Sequence, residues 1–121
     1  MSQTKSQPTA TAHFQVSIVG VTRRAVRADI AGELDTSNSH ILQVRLLAAL
    51  RDRHPAVLDL DLTDLTFIDC STVSALVRIR ATAERSGCRM RILNPRSVVV
   101  RMLDALDLLE VFSVVSGQRM A

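Results

Sequence analysis

With 121 residues the chain is long enough for one domain with a buried core and too short for two. Its hydrophobic share of 47% is ordinary, but the aromatics are three Phe alone, so the core must be built from Leu, Val, Ile and Ala, and base-stacking platforms for nucleic acid are hard to assemble. The net charge of +3 comes from 15 basic and 12 acidic residues of mixed order, and the basic runs Arg23-Arg24 and Arg51-Asp52-Arg53 are short and interrupted, which excludes a nucleic-acid footprint.

Two cysteines, Cys70 and Cys88, are too few for a disulfide framework or a CxxC metal site. The N-terminus lacks a signal pattern and no run of 18 apolar residues exists, so a reduced, cytoplasmic protein without membrane contact is expected.

Residues 1–12, rich in Ser, Thr, Gln and Ala, read as a disordered tail, the fold as residues 13–116, and residues 117–121 as a second tail. Phe14, Val16 and Ile18 alternate with less apolar neighbours, Val21 to Arg24 turns the chain, and Ala25 to Ile30 follows, which predicts a hairpin. Gly32-Glu33-Leu34-Asp35 closes the second strand, and Asp35, Thr36, Ser37 and Ser39 are candidate N-caps for a helix over about 37–53 that Pro55 ends. Val57 to Leu62 alternates as a short strand, and Leu65 to Ile68 leads into Asp69-Cys70-Ser71-Thr72.

A helix over about 71–86 should follow and stop at Gly87. At 100° per residue, Ser71, Ser74, Arg78, Thr82 and Arg85 share one face, with Val73, Leu76, Val77, Ile79 and Ala83 mostly opposite. Cys88 to Leu93 reads as a strand, Ser97 to Leu106 as a third helix and Val111 to Val115 as a last short strand. The order β-β-α-β-α-β-α-β predicts an α/β fold, a mixed sheet with helices packed against it.

The junction at Asp69 carries the chemistry. A strand running into a carboxylate, a thiol and two hydroxyls at a helix start offers unpaired N–H groups and the positive end of a dipole. Asp69 there is a natural cap, and Cys70 is expected as a small buried residue. No His has recognisable spacing to Cys70, the four glycines are scattered singly, and Asp59, Asp61, Asp64 and Asp69 read as a solvated face and loop caps rather than metal ligands. Neither an enzyme nor a cofactor is called for.

Asp61-Leu62-Thr63 followed by Phe67-Ile68-Asp69-Cys70-Ser71-Thr72 resembles the signature of the STAS family, Asp-Leu-Ser then Phe-(Ile/Met)-Asp-Ser-Ser-Gly, and Gly32-Glu33-Leu34-Asp35 is a second match. The resemblance implies an anti-sigma-factor antagonist working by partner switching. On that reading Ser71 is the phosphoacceptor, with Thr72 a lesser one, and the partner is an anti-sigma factor of the serine-kinase type. Docking would then involve Asp35, Asp69, Cys70, Ser71, Thr72, Ser74 and Arg78, while the oligomeric state, monomer or dimer, stays open.

Two departures stand out. Cys70 replaces the first Ser, which leaves a redox-sensing module as one alternative. Thr72 replaces the Gly, and a β-branched neighbour expected to crowd Ser71 favours another alternative, a subunit of a membrane transport complex that binds its partner constitutively.

Overall fold

The computed structural model describes residues 4–5, 9–10 and 13–115. A seven-stranded mixed sheet is formed by β1 (Thr4–Lys5), β2 (Thr9–Ala10), β3 (Phe14–Gly20), β4 (Ala25–Leu34), β5 (Val57–Ile68), β6 (Arg89–Leu93) and β7 (Val114–Val115). Three helices, α1 (Ser39–Arg53), α2 (Cys70–Arg85) and α3 (Ser97–Ala105), fill the crossovers. The strand order is β1-β3-β4-β5-β6-β7, with β2 also on β3. β3 and β4 are antiparallel, whereas β4, β5, β6 and β7 run parallel.

From residue 14 onward the element order is the one the sequence predicts. Within the segment read as a tail, Thr4–Lys5 and Thr9–Ala10 pair antiparallel with β3, which satisfies part of that strand's outer row of backbone groups. The rest of that segment, together with residues 116–121, lies outside the described residues.

One parity of each strand faces the helices. Val26, Leu58 and Met90 stand in register, as do Ala28, Leu60 and Ile92, and all six belong to one buried cluster with Leu42 and Leu46 of α1, Leu76 and Ile79 of α2, and Val99 and Leu103 of α3. The helices therefore cover one face of the sheet. Its other face carries charge: Arg27, Asp59 and Arg91 form a cross-strand row. Asp59 there accepts two bonds from Arg91, at 2.7 and 2.9 Å. Arg27 forks onto Asp29 at 2.7 and 3.1 Å.

β5 is one strand of 12 residues, not the two pieces its sequence suggests. Its buried residues fall at Leu58, Leu60, Leu62, Leu65 and Ile68, so the spacing lengthens from two to three. Strict alternation would turn Leu65 outward. Two register shifts against β4 prevent this: between Asp29/Asp61 and Ala31/Asp64, and between Gly32/Leu65 and Glu33/Phe67, β5 advances one residue further than β4. Each bulge absorbs the extra residue and returns the next apolar side chain to the core.

The helix ends follow local chemistry. α2 closes on a Schellman motif: Cys88 N–H reaches Ala83 O at 2.8 Å and Gly87 N–H reaches Glu84 O at 3.1 Å, with Gly87 at φ +81. α1 begins two residues later than expected because Asp35 spends its carboxylate on the Ser37 N–H and hydroxyl, and Asn38 becomes the N-cap without a side-chain bond into the helix. The last strand is shorter than expected. Phe112 is turned into the core, its N–H bonded to Leu108 O, and Ser113 has φ 50, so only Val114 and Val115 lie along β6.

Candidate functional site

The two sequence motifs meet at the carboxyl ends of parallel strands β4 and β5. Asp69 N–H donates to Leu34 O at 3.2 Å and so binds the Asp69 loop to the Gly32–Asp35 segment. That segment is held by Asn38, which is buried: its Nδ2 donates to Glu33 O at 2.8 Å and its Oδ1 accepts the Asp35 N–H at 3.0 Å. Sequence reading missed Asn38, although an amide three residues beyond an Asp at a strand end is a recognisable turn signal. In open α/β sheets such strand ends are where ligands and partners are met.

Asp69 is the N-cap of α2 with extended backbone, and its Oδ1 accepts the Thr72 N–H at 2.9 Å and the Ser71 hydroxyl at 3.0 Å. Burial pushes its pKa up. The bonds from the Thr72 N–H and the Ser71 hydroxyl, aided by the nearby Thr36 N–H, outweigh that effect, so Asp69 stands below the usual 3.8. The Thr72 hydroxyl also lies near this carboxylate and helps lower it, without reaching hydrogen-bond geometry. Asp35 is likewise lowered, first by the Ser37 hydroxyl and then by its N–H, against repulsion from Asp69.

A group whose folded-state pKa is depressed stabilises the fold above its unfolded value, and that contribution is lost as pH falls through the folded value. Asp69→Asn should therefore flatten the decline in urea midpoint below about pH 4, with wild type and variant converging at the acid end. Parallel acid limbs for the two proteins would exclude the linkage.

Ser71, Ser74, Arg78 and Arg85 are exposed and Thr82 is half-buried on one side of α2, as the helical projection requires. The Ser74 hydroxyl turns back to Cys70 O at 3.2 Å. Val73, Leu76, Ile79 and Ala83 are buried opposite, Val77 is half-buried, and Arg80 leaves that arc to pair with Glu84 at 2.9 Å.

Two expectations are corrected. Cys70 is exposed, not buried: at the first helical position its side chain leaves the core, and its Sγ lies 3.8 Å from Met102 Sδ of α3. Thr72 is at 0% exposure. At 100° per residue it falls in line with Leu76, Ile79 and Ala83, so it neither crowds Ser71 from outside nor offers a surface for a partner or kinase. Its Oγ1 is buried with no hydrogen-bond partner. Thr72→Val, which keeps the shape and removes the unpaired hydroxyl, should raise the unfolding free energy by about 1 kcal/mol in urea titrations.

Among the described residues no group of three His, Cys, Asp or Glu side chains could hold a metal ion, and no helix is long and apolar enough to cross a membrane. What remains is a single α/β domain presenting a capped, hydroxyl-bearing corner at parallel strand ends.

That arrangement coincides with a known domain class. The chain belongs to the STAS-domain family, whose profile matches residues 18–119. Its fold is similar to that of the anti-sigma factor antagonist SpoIIAA in its unphosphorylated form, with TM-score 0.76 and 20% identity over 86% of this chain and 89% of that one. The phosphorylated form of SpoIIAA, a cell fate determinant from Bacillus, gives 0.69 and 19% over 86% and 92%. An anti-sigma factor antagonist from Mycobacterium paratuberculosis gives 0.69 and 15% over 94% and 86%. SLC26A9 matches at 0.58 and 18% over 74% of this chain but 17% of its own. No curated protein sequence matches the chain.

Proposed function

We propose that this protein is a cytoplasmic anti-sigma-factor antagonist that acts by partner switching, with Ser71 as the phosphoacceptor. The observation that carries the reading is the exposed Ser71 hydroxyl, 3.0 Å from the Asp69 carboxylate in the first turn of α2 and beside the Asp35 loop. The low Asp69 pKa keeps that carboxylate ionised and accepting, which fixes the hydroxyl where an approaching kinase can reach it. Similarity to SpoIIAA and to the mycobacterial antagonist supports the assignment.

In this reading the unmodified chain docks on an anti-sigma factor of the serine-kinase type through Asp35, Asp69, Cys70, Ser71, Ser74 and Arg78. A phosphoryl group at Ser71 would add about −1.5 to −2 charges beside two carboxylates, while the helix start tolerates it. The effect is local: the new group occupies the docking surface, and the partner is released without refolding of the domain.

The transport-subunit alternative drew on Thr72 crowding Ser71, and that premise fails because Thr72 is buried. Redox sensing retains one support, the exposed Cys70 thiol. Incubation with ATP and the kinase captured on the unmodified protein, followed by mass mapping, tests the assignment. Phosphate is expected on Ser71 and none on Thr72. A complex that forms while Ser71 stays unmodified would discard phospho-switching.

A further inference from the structure

The pole of the molecule opposite the Asp69 corner is strongly basic. Helices that cross back between parallel strands end where the next strand begins, so the last turns of α1 and α2, the β3–β4 turn and the start of β6 converge there. Three backbone bonds fix this row: Arg24 O accepts the Ala56 and Val57 N–H groups at 2.7 and 3.1 Å, and Ala56 O accepts the Arg89 N–H at 2.9 Å. The pole carries Arg23, Arg24, Arg51, Arg53, Arg85 and Arg89 against only Asp52 and Glu84, a surplus of four positive charges where the whole chain has +3.

Pairing sharpens the contrast. Arg27, Arg51, Arg80 and Arg91 each pair with a carboxylate. Arg23, Arg24, Arg53, Arg85 and Arg89 have no ion pair among the described residues. The ends of α1 and α2 account for Arg53 and Arg85, since cations complement the negative end of a helix dipole. They do not account for Arg23, Arg24 or Arg89, which lie on a turn and a strand.

Arg23 and Arg24 border a hollow of about 730 Å³ whose other walls are Thr22 and His54. Both flanks are shaped. The Thr22 hydroxyl accepts the Arg24 N–H at 3.2 Å, and His54 caps α1 in the left-handed conformation, φ 46 and ψ 52. Two guanidinium forks, an imidazole and a hydroxyl around one hollow suit an oxyanion, and phosphate above all, which Arg engages in bidentate fashion.

We infer that the Arg23–Arg24–His54 hollow binds the phosphate group of a small soluble molecule. The hollow opens broadly to solvent between exposed side chains, so a phosphate borne on a larger molecule has room there. No Phe, Tyr or Trp lines the hollow to stack a base, and the exposed large apolar residues Val44, Leu47, Phe67 and Leu106 do not line it either, which disfavours nucleic acid and an inserted membrane surface. The inference is independent of switching at Ser71.

Titration of the full chain with inorganic pyrophosphate, followed by amide chemical shifts, tests it. Shifts should centre on residues 22–24 and 54, the affinity should fall as salt rises, and Arg23→Ala/Arg24→Ala should weaken it about tenfold or more. The paired Ala56 and Val57 amides use the Arg24 carbonyl, so the variant should keep its fold, and an unchanged melting temperature checks this. Vesicles of phosphatidylglycerol form the second arm. Binding to vesicles but not to pyrophosphate, shifts centred on Ser71, equal affinity in the variant, or no binding at all would each overturn the proposal.

Discussion

Gly32→Ala is expected to destabilise the protein by more than about 3 kcal/mol, a large share of the roughly 5–15 kcal/mol that holds a typical domain folded. Gly32 has φ +97, where L side chains are strained. An added Cβ would also lie 2.1 Å from the His13 carbonyl oxygen, a backbone atom that cannot swing aside, and that oxygen is already held by the Glu33 N–H at 2.7 Å. Relief would mean breaking β3 from β4 at Phe14↔Gly32, next to the turn that presents Asp35. Gly87→Ala is the control: its φ is +81 but nothing lies within 4 Å of the added atom, so only the conformational term of about 1 kcal/mol remains. Urea unfolding of the two variants should separate them clearly, and similar losses would show that the close approach at Gly32 is not limiting.

The contrast bears on what a sequence reveals. The Gly-Glu-Leu-Asp segment and the Asp69 junction are visible as residue types at strand ends, and alternation places β3, β4, β6 and the apolar face of α2 correctly. What alternation hides is a change of period. In β5 the step from Leu62 to Leu65 to Ile68 reads as an interruption, because only the paired strand β4 decides that an extra residue is extruded as a bulge. Position on a helix start is harder still. Cys70 and Thr72 are two residues apart, yet one is exposed and the other lies at 0%, since 200° of rotation separates them. In helical projection Thr72 lies with Leu76 and Ile79 and so belongs to the core, although its hydroxyl is of the same chemical type as that of Ser71. The Cys70–Met102 contact joins residues 32 apart and left no local trace.

Burial of Thr72 also concentrates the chemistry of the corner on one atom. Ser71 Oγ is the exposed hydroxyl that hydrogen-bonds the capping carboxylate, and Ser74 is engaged with Cys70 O. A change of charge at position 71 therefore meets Asp69 directly, and Asp69 is itself close enough to Asp35 for the two carboxylates to repel.

If the proposed function holds, Ser71→Asp should weaken association with an anti-sigma factor by about tenfold to a hundredfold, or roughly 1.5–3 kcal/mol. The substituted carboxylate loses the bond donated to Asp69 and sets like charges side by side, although it carries less charge than a phosphoryl group. The helix start moderates the penalty, so the fold should be preserved and the melting temperature should move little. Ser71→Ala removes the same bond without adding charge. It should bind within about threefold of wild type and, lacking an oxygen to modify, stay bound when ATP is added to the complex with the kinase. Affinity titrations of the three proteins, each with and without ATP, decide the matter. Wild type should be released on ATP addition, Ser71→Ala retained, and Ser71→Asp weak in both conditions. Were all three to bind equally, charge at position 71 would not control docking, and the exposed surface of α2 would serve a partner held constitutively.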